Sequence, residues 1–306
     1  MTSRVNINVR GVVLSGTIKI KSVSDFKKQK SDELKQIFIN VIKKQLGDDS
    51  NVGLMLSGGI DSASILYALF ELDVNVHPYT FYLEGYESND LISSQKLADK
   101  YDLDLTIVEI PTDTILSDFK KLYQYGCYKK THFETKIHYL HLSSKVKESL
   151  LFYGVNADYW YGLIMNMVVN GRDNPQKFNM LREKRWGEHH STEYKLDKII
   201  MNQYNKIKLI DPYACKEVYD YFMQFDWEFL NKPYSKWMIV EAFKEYFVND
   251  GCRKHSNFQI ESGMREHCKK FVDDPNINVN NKKSPVGVYN DLMKKWSVED
   301  EYQTLI

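Results

Sequence analysis

The segment VGLMLSGGIDSASILYAL, residues 52–69, constrains this chain most, because it joins an apolar strand to an apolar helix through SGGIDS. Gly58 and Gly59 permit a tight turn in which several backbone N–H groups point at one anion, at the positive end of the following helix. Ser57 and Ser62 add hydroxyl donors. The junction therefore predicts a phosphate cradle.

Asp61 lies within this cradle. A carboxylate beside bound phosphates repels them unless it holds a divalent cation such as Mg²⁺. A Gly-Gly turn followed by a helix cap would also account for these residues in a protein that binds nothing. Five fixed residues at a strand-to-helix junction favour the functional interpretation. The pattern is neither G-x-x-x-x-G-K-[ST] nor G-x-G-x-x-G, which disfavours a Walker-type nucleotidase and a nicotinamide dehydrogenase.

Short apolar strands alternate with amphipathic helices over the first half of the chain. The strands are VGLML, VHPYTFYL, LDLTIVEI and SLLFYG, and the helices fall near 61–72, near 90–101 and as a pair between about 113 and 148. This alternation predicts the α/β class, with a doubly wound parallel sheet covered by helices on both faces. Beyond about residue 170, helix-like segments rich in Tyr, Phe and Trp predict a helical C-terminal portion.

Three parts of the chain are expected. Residues 1–50 form an N-terminal extension, with a hairpin or meander over 5–21 and an amphipathic helix over 31–46 behind a Ser31/Asp32 cap. Residues 51–272 form the main domain, whose α/β core extends to about 170 and whose helical part covers 171–272. Residues 273–306 form a C-terminal loop and helix.

The charge balance bears on partners and location. Lys plus Arg total 41 and Asp plus Glu total 41, so no overall field attracts the chain to nucleic acid or to an anionic membrane. The longest apolar runs are far shorter than the roughly 18 to 20 residues that span a bilayer. The N-terminus has no continuous apolar core of the kind found in signal peptides. We therefore expect a cytoplasmic protein with no membrane partner.

Several segments together resemble a known family. LSGGIDSASILYAL resembles the pyrophosphate-binding loop, SGGxDS, of the N-type ATP pyrophosphatases, and most resembles the synthetase domain of asparagine and β-lactam synthetases. The resemblance covers roughly residues 50–270 and weakens after the first motif. Later matches are VHPYTFYLEGYESNDLISSQKLADKYDLDLTIVEI to the second strand, its helix and the third strand; GVNADYWYG (154–162) to the acidic loop GEGxDExxGG; IDPY (210–213) to the R-x-P-x-L-D region; KWMIVEAF (236–243) to the K-x-x-L-R-x-x-F helix; and RKHSNFQIESGM (253–264) to the lysine-bearing segment.

This resemblance implies an enzyme that cleaves ATP to AMP and pyrophosphate, activates a carboxylate as an acyl-adenylate and transfers the acyl group to an amine. It implies that a lysine stabilises charge on the phosphate; that residue is Lys254, or His255 after a one-residue shift. The other implied roles are pyrophosphate binding by Ser57, Gly58, Gly59, Asp61 and Ser62, adenine contact by the Leu56 backbone, a nucleotide-pocket wall at Gly154, and Mg²⁺ ligation by Asp61 and Asp158.

Asp158 has two interpretations. By itself it is typical of a helix N-cap. Its position at the end of a core strand, where ligands of open α/β sheets bind, favours the metal role.

The chain departs from the family in its acidic loop and before its core. Val155 and Tyr159 stand where the family has glutamates, and because valine cannot be a general base, plain asparagine synthesis is not expected. Thr2 replaces the N-terminal cysteine of a glutaminase domain, and only about 50 residues precede the core. Nitrogen is then expected from free ammonia, from an amine substrate or from a separate subunit.

Three alternatives stay open: an adenylating enzyme that modifies a nucleobase or RNA, a nucleotide-binding protein without catalysis, and a non-catalytic member of an assembly. The aromatic residues Trp160, Tyr161, Trp186 and Trp237 suit a larger acceptor, but aromatic residues are more often core. His189 and His190 are expected on a solvated loop, since no carboxylate or cysteine stands at metal spacing beside them.

Overall fold

A computed structural model of the protein describes residues 7–9, 12–14, 23–250 and 262–304. The described strands are β1 (Ile7–Val9), β2 (Val12–Leu14), β3 (Asn51–Met55), β4 (Asn75–Leu83), β5 (Thr106–Ile110), β6 (Leu150–Phe152) and β7 (Lys208–Ile210). The described helices are α1 (Val23–Leu46), α2 (Ile60–Glu71), α3 (Asn89–Lys100), α4 (Ile115–Gln124), α5 (Lys130–Leu142), α6 (Ala157–Tyr161), α7 (Met165–Gly171), α8 (Pro175–Glu188), α9 (Tyr194–Met201), α10 (Lys216–Phe222), α11 (Trp227–Asn231), α12 (Trp237–Ala242), α13 (Lys244–Asp250), α14 (Met264–Asp273) and α15 (Pro285–Thr304).

The chain divides into two compact units. The first comprises Met1–His77, Leu150–Ser191 and Leu209–Lys254, and the second comprises Pro78–Ser149, Thr192–Lys208 and His255–Ile306. No described helix is both long and apolar enough to cross a membrane. The predicted domain limits at about 50 and 272 stay a prediction.

The core strands β3 to β7 form a five-stranded sheet, which confirms the α/β class. In the first unit β3 lies parallel to β6, with Gly53 opposite Leu151 and Leu54 opposite Phe152, and β7 follows β6 in the strand order. Val52, Leu54 and Phe152 are fully buried, because helices cover both faces of a parallel sheet. Parallel strands end at the same edge, so the loops that follow β3 and β6 meet there.

In the second unit β4 lies parallel to β5, with Tyr79 opposite Thr106 and Leu83 opposite Ile110. Helix α3 connects these strands, and its N-cap is Ser88, whose Oγ accepts a hydrogen bond from Leu91 N at 3.0 Å. Helices α4, α5 and α15 bury an aromatic cluster. Its rings are those of Phe119, Phe133, Tyr289 and Trp296, with Phe133 stacked on Tyr289 at 5.4 Å between centroids.

The N-terminal predictions are partly corrected. β1 pairs antiparallel with β2, which confirms a hairpin within 5–21. Helix α1 begins at Val23 rather than 31. Ser31 is therefore not a cap: its buried hydroxyl donates to Met238 O at 2.5 Å, because α1 packs against α12 along this face.

Within the described residues of its second half, the chain contains one strand that the periodicity did not predict. KLI, residues 208–210, forms β7, and this three-residue run is too short to show a strand period. The other described elements of this half are helices, as predicted. Trp160, Tyr161 and Trp237 are core residues with at most 2% of their surface exposed.

Candidate functional site

The loop between β3 and α2 has the shape of an anion cradle. Gly58 lies in the left-handed region at φ +68°, which glycine adopts without a Cβ penalty. Gly59 is the N-cap of α2, and no described side chain caps this helix. The first N–H groups of a helix have no partner within it, and the positive end of the helix dipole favours a negative ligand there. The junction therefore offers backbone donors to an anion.

The serine hydroxyls of the loop bond the loop itself. Ser57 Oγ accepts a hydrogen bond from Gly59 N at 3.3 Å and lies 3.1 Å from Ser62 Oγ. Ser62 Oγ accepts from Ser57 N at 3.2 Å and donates to Gly59 O at 3.3 Å. These bonds hold the turn in its curved form. Leu56, the residue predicted to lie near adenine, is buried at 2% exposure.

Beneath the loop a tyrosine hydroxyl supports the first turn of α2. Tyr213 OH lies 2.8 Å from Ser64 Oγ, and Ser64 Oγ donates to Asp61 O at 2.8 Å. Both Tyr213 and Ser64 are fully buried. The backbone of Asp61 is thereby fixed from the core side.

Asp61 and Asp158 are brought together by a lysine. Lys236 Nζ lies 2.6 Å from Asp61 Oδ2 and 2.6 Å from Asp158 Oδ1. The lysine is 2% exposed, whereas the side chains of Asp61 and Asp158 are 19% and 25% exposed. One buried ammonium therefore joins the predicted pyrophosphate loop to the predicted acidic loop.

Burial and neighbouring charges set the protonation of this group. Burial raises the pKa of Asp61 to about 6, with Lys236 opposing the shift and Asp158 adding to it. Burial alone would lower the pKa of Lys236, but Asp158 and Asp61 outweigh it and raise that pKa above its usual value. By formal charge, the two carboxylates and one ammonium together carry a net charge of about −1.

The backbone of Lys236 is unusual. The residue stands before α12 at φ +62° and ψ 20°, in the left-handed region. That conformation costs an L-residue roughly 1–2 kcal/mol. Strained backbone of this kind persists where the surroundings fix it and often marks a functional site. Its two ion pairs fix the side chain at this position.

The acidic loop is held from below by a buried carboxylate. Asp211 Oδ2 accepts hydrogen bonds from Asn156 N at 3.0 Å and Asn156 Nδ2 at 2.8 Å, and Asp211 Oδ1 accepts from Tyr213 N at 2.9 Å. Burial raises the pKa of Asp211 to about 6 against the effect of these donors. Gly154 lies directly over Asp61: a Cβ at Gly154 would stand 3.2 Å from Asp61 Cβ.

The prediction for His189 is wrong. It begins a π-helical turn, His189–Glu193, and is 3% exposed, with Nδ1 3.2 Å from Asn156 Nδ2. Helix α8 runs directly into this turn, so the chain has no loop there. His190 is exposed, as expected.

The donor set fits a divalent cation that takes its remaining ligands from phosphate. Asp61 Oδ1 is buried and accepts no hydrogen bond from a described residue. Mg²⁺ commonly uses one or two protein carboxylates together with substrate phosphates and water. Among the described residues, no group of three or more His, Cys, Asp or Glu side chains is placed to hold a metal without such help.

Sequence reasoning assigned no role to Lys236 and assigned one to Lys254. Lys254 and His255 lie outside the described residues. Lys236 carried a signal in the sequence, because it is a single cation immediately before the apolar run WMIV. A lysine immediately before an apolar helix is buried together with that helix. A buried lysine needs anionic partners.

The site thus lies at the carboxyl ends of β3 and β6 in an α/β protein, where ligands of open α/β sheets bind. Residues 33–158 match the family model described as asparagine synthase. This match confirms the resemblance to asparagine synthetases predicted from the loop, and it ends at Asp158, before Lys236.

The curated relatives match over a short stretch. The human glutamine-hydrolysing asparagine synthetase is 38% identical over 72 residues, which cover 22% of this chain and 13% of the human protein. The mouse protein is 39% identical over 71 residues, covering 22% of this chain and 13% of the mouse protein. The match thus spans about an eighth of the length of these relatives.

Two solved structures are also similar. A U34-tRNA thiolase from Methanococcus maripaludis is 16% identical with a TM-score of 0.38, over 89% of this chain and 81% of that chain. An NMN synthetase from Francisella tularensis is 12% identical with a TM-score of 0.34, over 76% of this chain and 98% of that chain.

Proposed function

We propose that the protein is an ATP-dependent ligase that adenylates a substrate carboxylate, releases pyrophosphate and joins the acyl group to an amine or ammonia. ATP is the proposed cosubstrate and Mg²⁺ the proposed metal. The observation that carries this proposal is the joining of Asp61 and Asp158 by Lys236 beside the open N-terminus of α2. The family match over residues 33–158 supports the same chemistry.

The loop residues would bind the pyrophosphate part of ATP. Backbone N–H groups at the start of α2 supply donors, and the left-handed Gly58 gives the loop its curve. Ser57 and Ser62 shape the turn and have hydroxyls that can rotate toward a phosphate oxygen. These groups stabilise the negative charge that develops on pyrophosphate as it leaves, which is where preorganised donors contribute most.

Lys236 and the two aspartates would balance charge around the same phosphates. Asp61 and Asp158 would hold Mg²⁺, which when bound neutralises phosphate charge and assists departure of pyrophosphate. Lys236 is within reach of both carboxylates and carries three donors on a flexible stem. Asp211 and Tyr213 hold the loops that follow β3 and β6 in position from the core side.

Neither Val155 nor Tyr159, which stand where the family has glutamates, would act as a general base toward the acceptor. Val155 is 45% exposed on the acidic loop. Tyr159 lies under the guanidinium of Arg185, 3.9 Å from its ring centroid. Neither side chain is suited to take a proton from an incoming ammonium near pH 7. This supports an amine acceptor delivered in its neutral form, from solution or from a separate nitrogen-supplying or substrate-carrying subunit, over asparagine synthesis.

The proposal is tested by exchange of labelled pyrophosphate into ATP, with Mg²⁺ and a mixed pool of carboxylates. Exchange reports reversible adenylation without requiring the acceptor. Asp61→Asn and Asp158→Asn should each reduce the exchange rate at least about 100-fold, since each removes a carboxylate that would hold the Mg²⁺ beside the leaving group. Asp220→Asn is the matched control, because Asp220 is an exposed residue of α10 whose carboxylate pairs with Lys216.

Wild-type exchange rates in both site variants would refute the site assignment. Exchange that depends on RNA or a nucleobase in place of the carboxylates would favour a base-modifying adenylating enzyme. ATP binding with no exchange from any pool would favour a nucleotide-binding protein without turnover.

A further inference from the structure

We infer that Lys236 is an internal counter-ion that keeps divalent metal off Asp61 and Asp158 until pyrophosphate or ATP is bound. This inference rests on the proposed function and adds an order of binding to it. Lys236 Nζ lies 2.6 Å from a carboxylate oxygen of each aspartate, at the position between the two side chains that a bridging cation would take.

The charges of the group explain why metal binds poorly without nucleotide. Two carboxylates and one ammonium leave a net charge of about −1 for a divalent ion to compensate. The lysine is 2% exposed, so water screens its repulsion of a second cation only weakly. The described residues bring no third acid into a metal-binding group that would offset this repulsion.

Bound phosphates change this balance. They add several negative oxygens at the α2 N-terminus, next to Asp61. Lys236 has three donors on a flexible stem and can move one toward a phosphate oxygen. That movement releases Asp61 Oδ2 and Asp158 Oδ1. These two oxygens then face the metal together with the buried Asp61 Oδ1, which accepts no hydrogen bond from a described residue. Lys236 and the metal ion thus both have anionic partners only when phosphate is present.

The test is titration with Mn²⁺, followed by electron paramagnetic resonance of the free ion, without nucleotide and then with saturating pyrophosphate. The same titration of pyrophosphate without protein is subtracted, because pyrophosphate itself binds Mn²⁺. Wild type should bind Mn²⁺ at least about tenfold more tightly with pyrophosphate, equivalent to about 1.4 kcal/mol. Lys236→Met should bind Mn²⁺ at least about tenfold more tightly than wild type without pyrophosphate. Asp158→Asn added to Lys236→Met should abolish this gain.

Lys44→Met controls for the change in net charge, since Lys44 is an exposed lysine paired with Glu217 away from the loop. It should leave Mn²⁺ affinity at the wild-type value. Tight Mn²⁺ binding by wild type without pyrophosphate would overturn the inference. This measurement uses the wild-type protein and so does not depend on whether a variant folds. Equal affinities of Lys236→Met and wild type without pyrophosphate would overturn it as well.

Failure of the inference is distinct from failure of the proposed function. The metal titration requires no turnover, and pyrophosphate exchange requires no metal binding in the nucleotide-free state. A protein that excludes Mn²⁺ as described but shows no exchange would refute only the ligase proposal. A protein that catalyses exchange but binds Mn²⁺ equally with and without pyrophosphate would refute only the role of Lys236.

Discussion

Gly162→Ala should destabilise the first unit strongly. Gly162 ends α6, the short helix that carries Asp158, with φ +70° and ψ 37°. A Cβ added there would lie 2.4 Å from Phe178 Cε2 and 2.9 Å from Trp227 Cδ1, whereas ordinary van der Waals contact begins near 3.4 Å. The backbone has little room to retreat, because Gly162 O accepts a hydrogen bond from Trp227 Nε1 at 2.9 Å.

The expected magnitude has two parts. An L-residue in the left-handed region loses roughly 1–2 kcal/mol. Overpacking of a dense core costs roughly 1–3 kcal/mol more, because the buried Phe178 ring must move. We therefore expect the free energy of unfolding to fall by about 2–5 kcal/mol, measured by urea denaturation followed by circular dichroism.

Gly47→Ala is the matched control. Gly47 also has a left-handed backbone, at φ +59°, but a Cβ there would meet nothing within 4 Å. It should lose only the conformational part, roughly 1–2 kcal/mol. If Gly162→Ala and Gly47→Ala lowered the free energy of unfolding equally, α6 would not pack closely against Phe178 and Trp227.

Three further predictions concern the same unit. Gly154→Ala should place a Cβ 3.2 Å from Asp61 Cβ and lower the exchange rate at least about tenfold, since small displacements of reacting groups are costly. The free energy of unfolding should change by less than about 1 kcal/mol. A loss of exchange explained by an equally large loss of folding stability would contradict this prediction. Tyr213→Phe and Ser64→Ala should show a coupling of about 0.5–1.5 kcal/mol in a double-mutant cycle of urea unfolding, and strict additivity would exclude their hydrogen bond. Burial raises the pKa of Asp211 to about 6 from 3.8, so its contribution to stability is full below about pH 4 and is lost, by about 3 kcal/mol, as pH rises through 6. Asp211→Asn should remove this loss, so its unfolding free energy relative to wild type should rise between pH 4 and pH 7; a constant difference would show that Asp211 has an ordinary pKa.

Local patterns predicted the α/β core well. The apolar runs before and after SGGIDS gave β3 and α2, and the helix expected over 61–72 is observed at Ile60–Glu71. Such elements are specified by their own periodicity and turn residues. The helix expected over 31–46 begins eight residues earlier, because packing against α12 extends it past the polar residues that resemble a cap.

The candidate site depends on contacts distant in sequence, and these were only partly predictable. Asp61 and Asp158 were expected to meet, because the family resemblance implied that both hold Mg²⁺ and because Asp158 follows a core strand, where ligands of open α/β sheets bind. Lys236 lies 175 positions from Asp61, and its burial between two carboxylates is visible only in three dimensions. His189 was misjudged for the same reason: a polar stretch hid a helix whose inner face contacts Asn156.

We propose that this site cleaves ATP between the α and β phosphates. The products formed from ATP and Mg²⁺, with and without a mixed pool of carboxylates, amines and RNA, test this proposal. We expect AMP and pyrophosphate in equal amounts, formed only with the pool and lost in Asp61→Asn. ADP and inorganic phosphate as the products, or AMP formation that survives in Asp61→Asn, would contradict it.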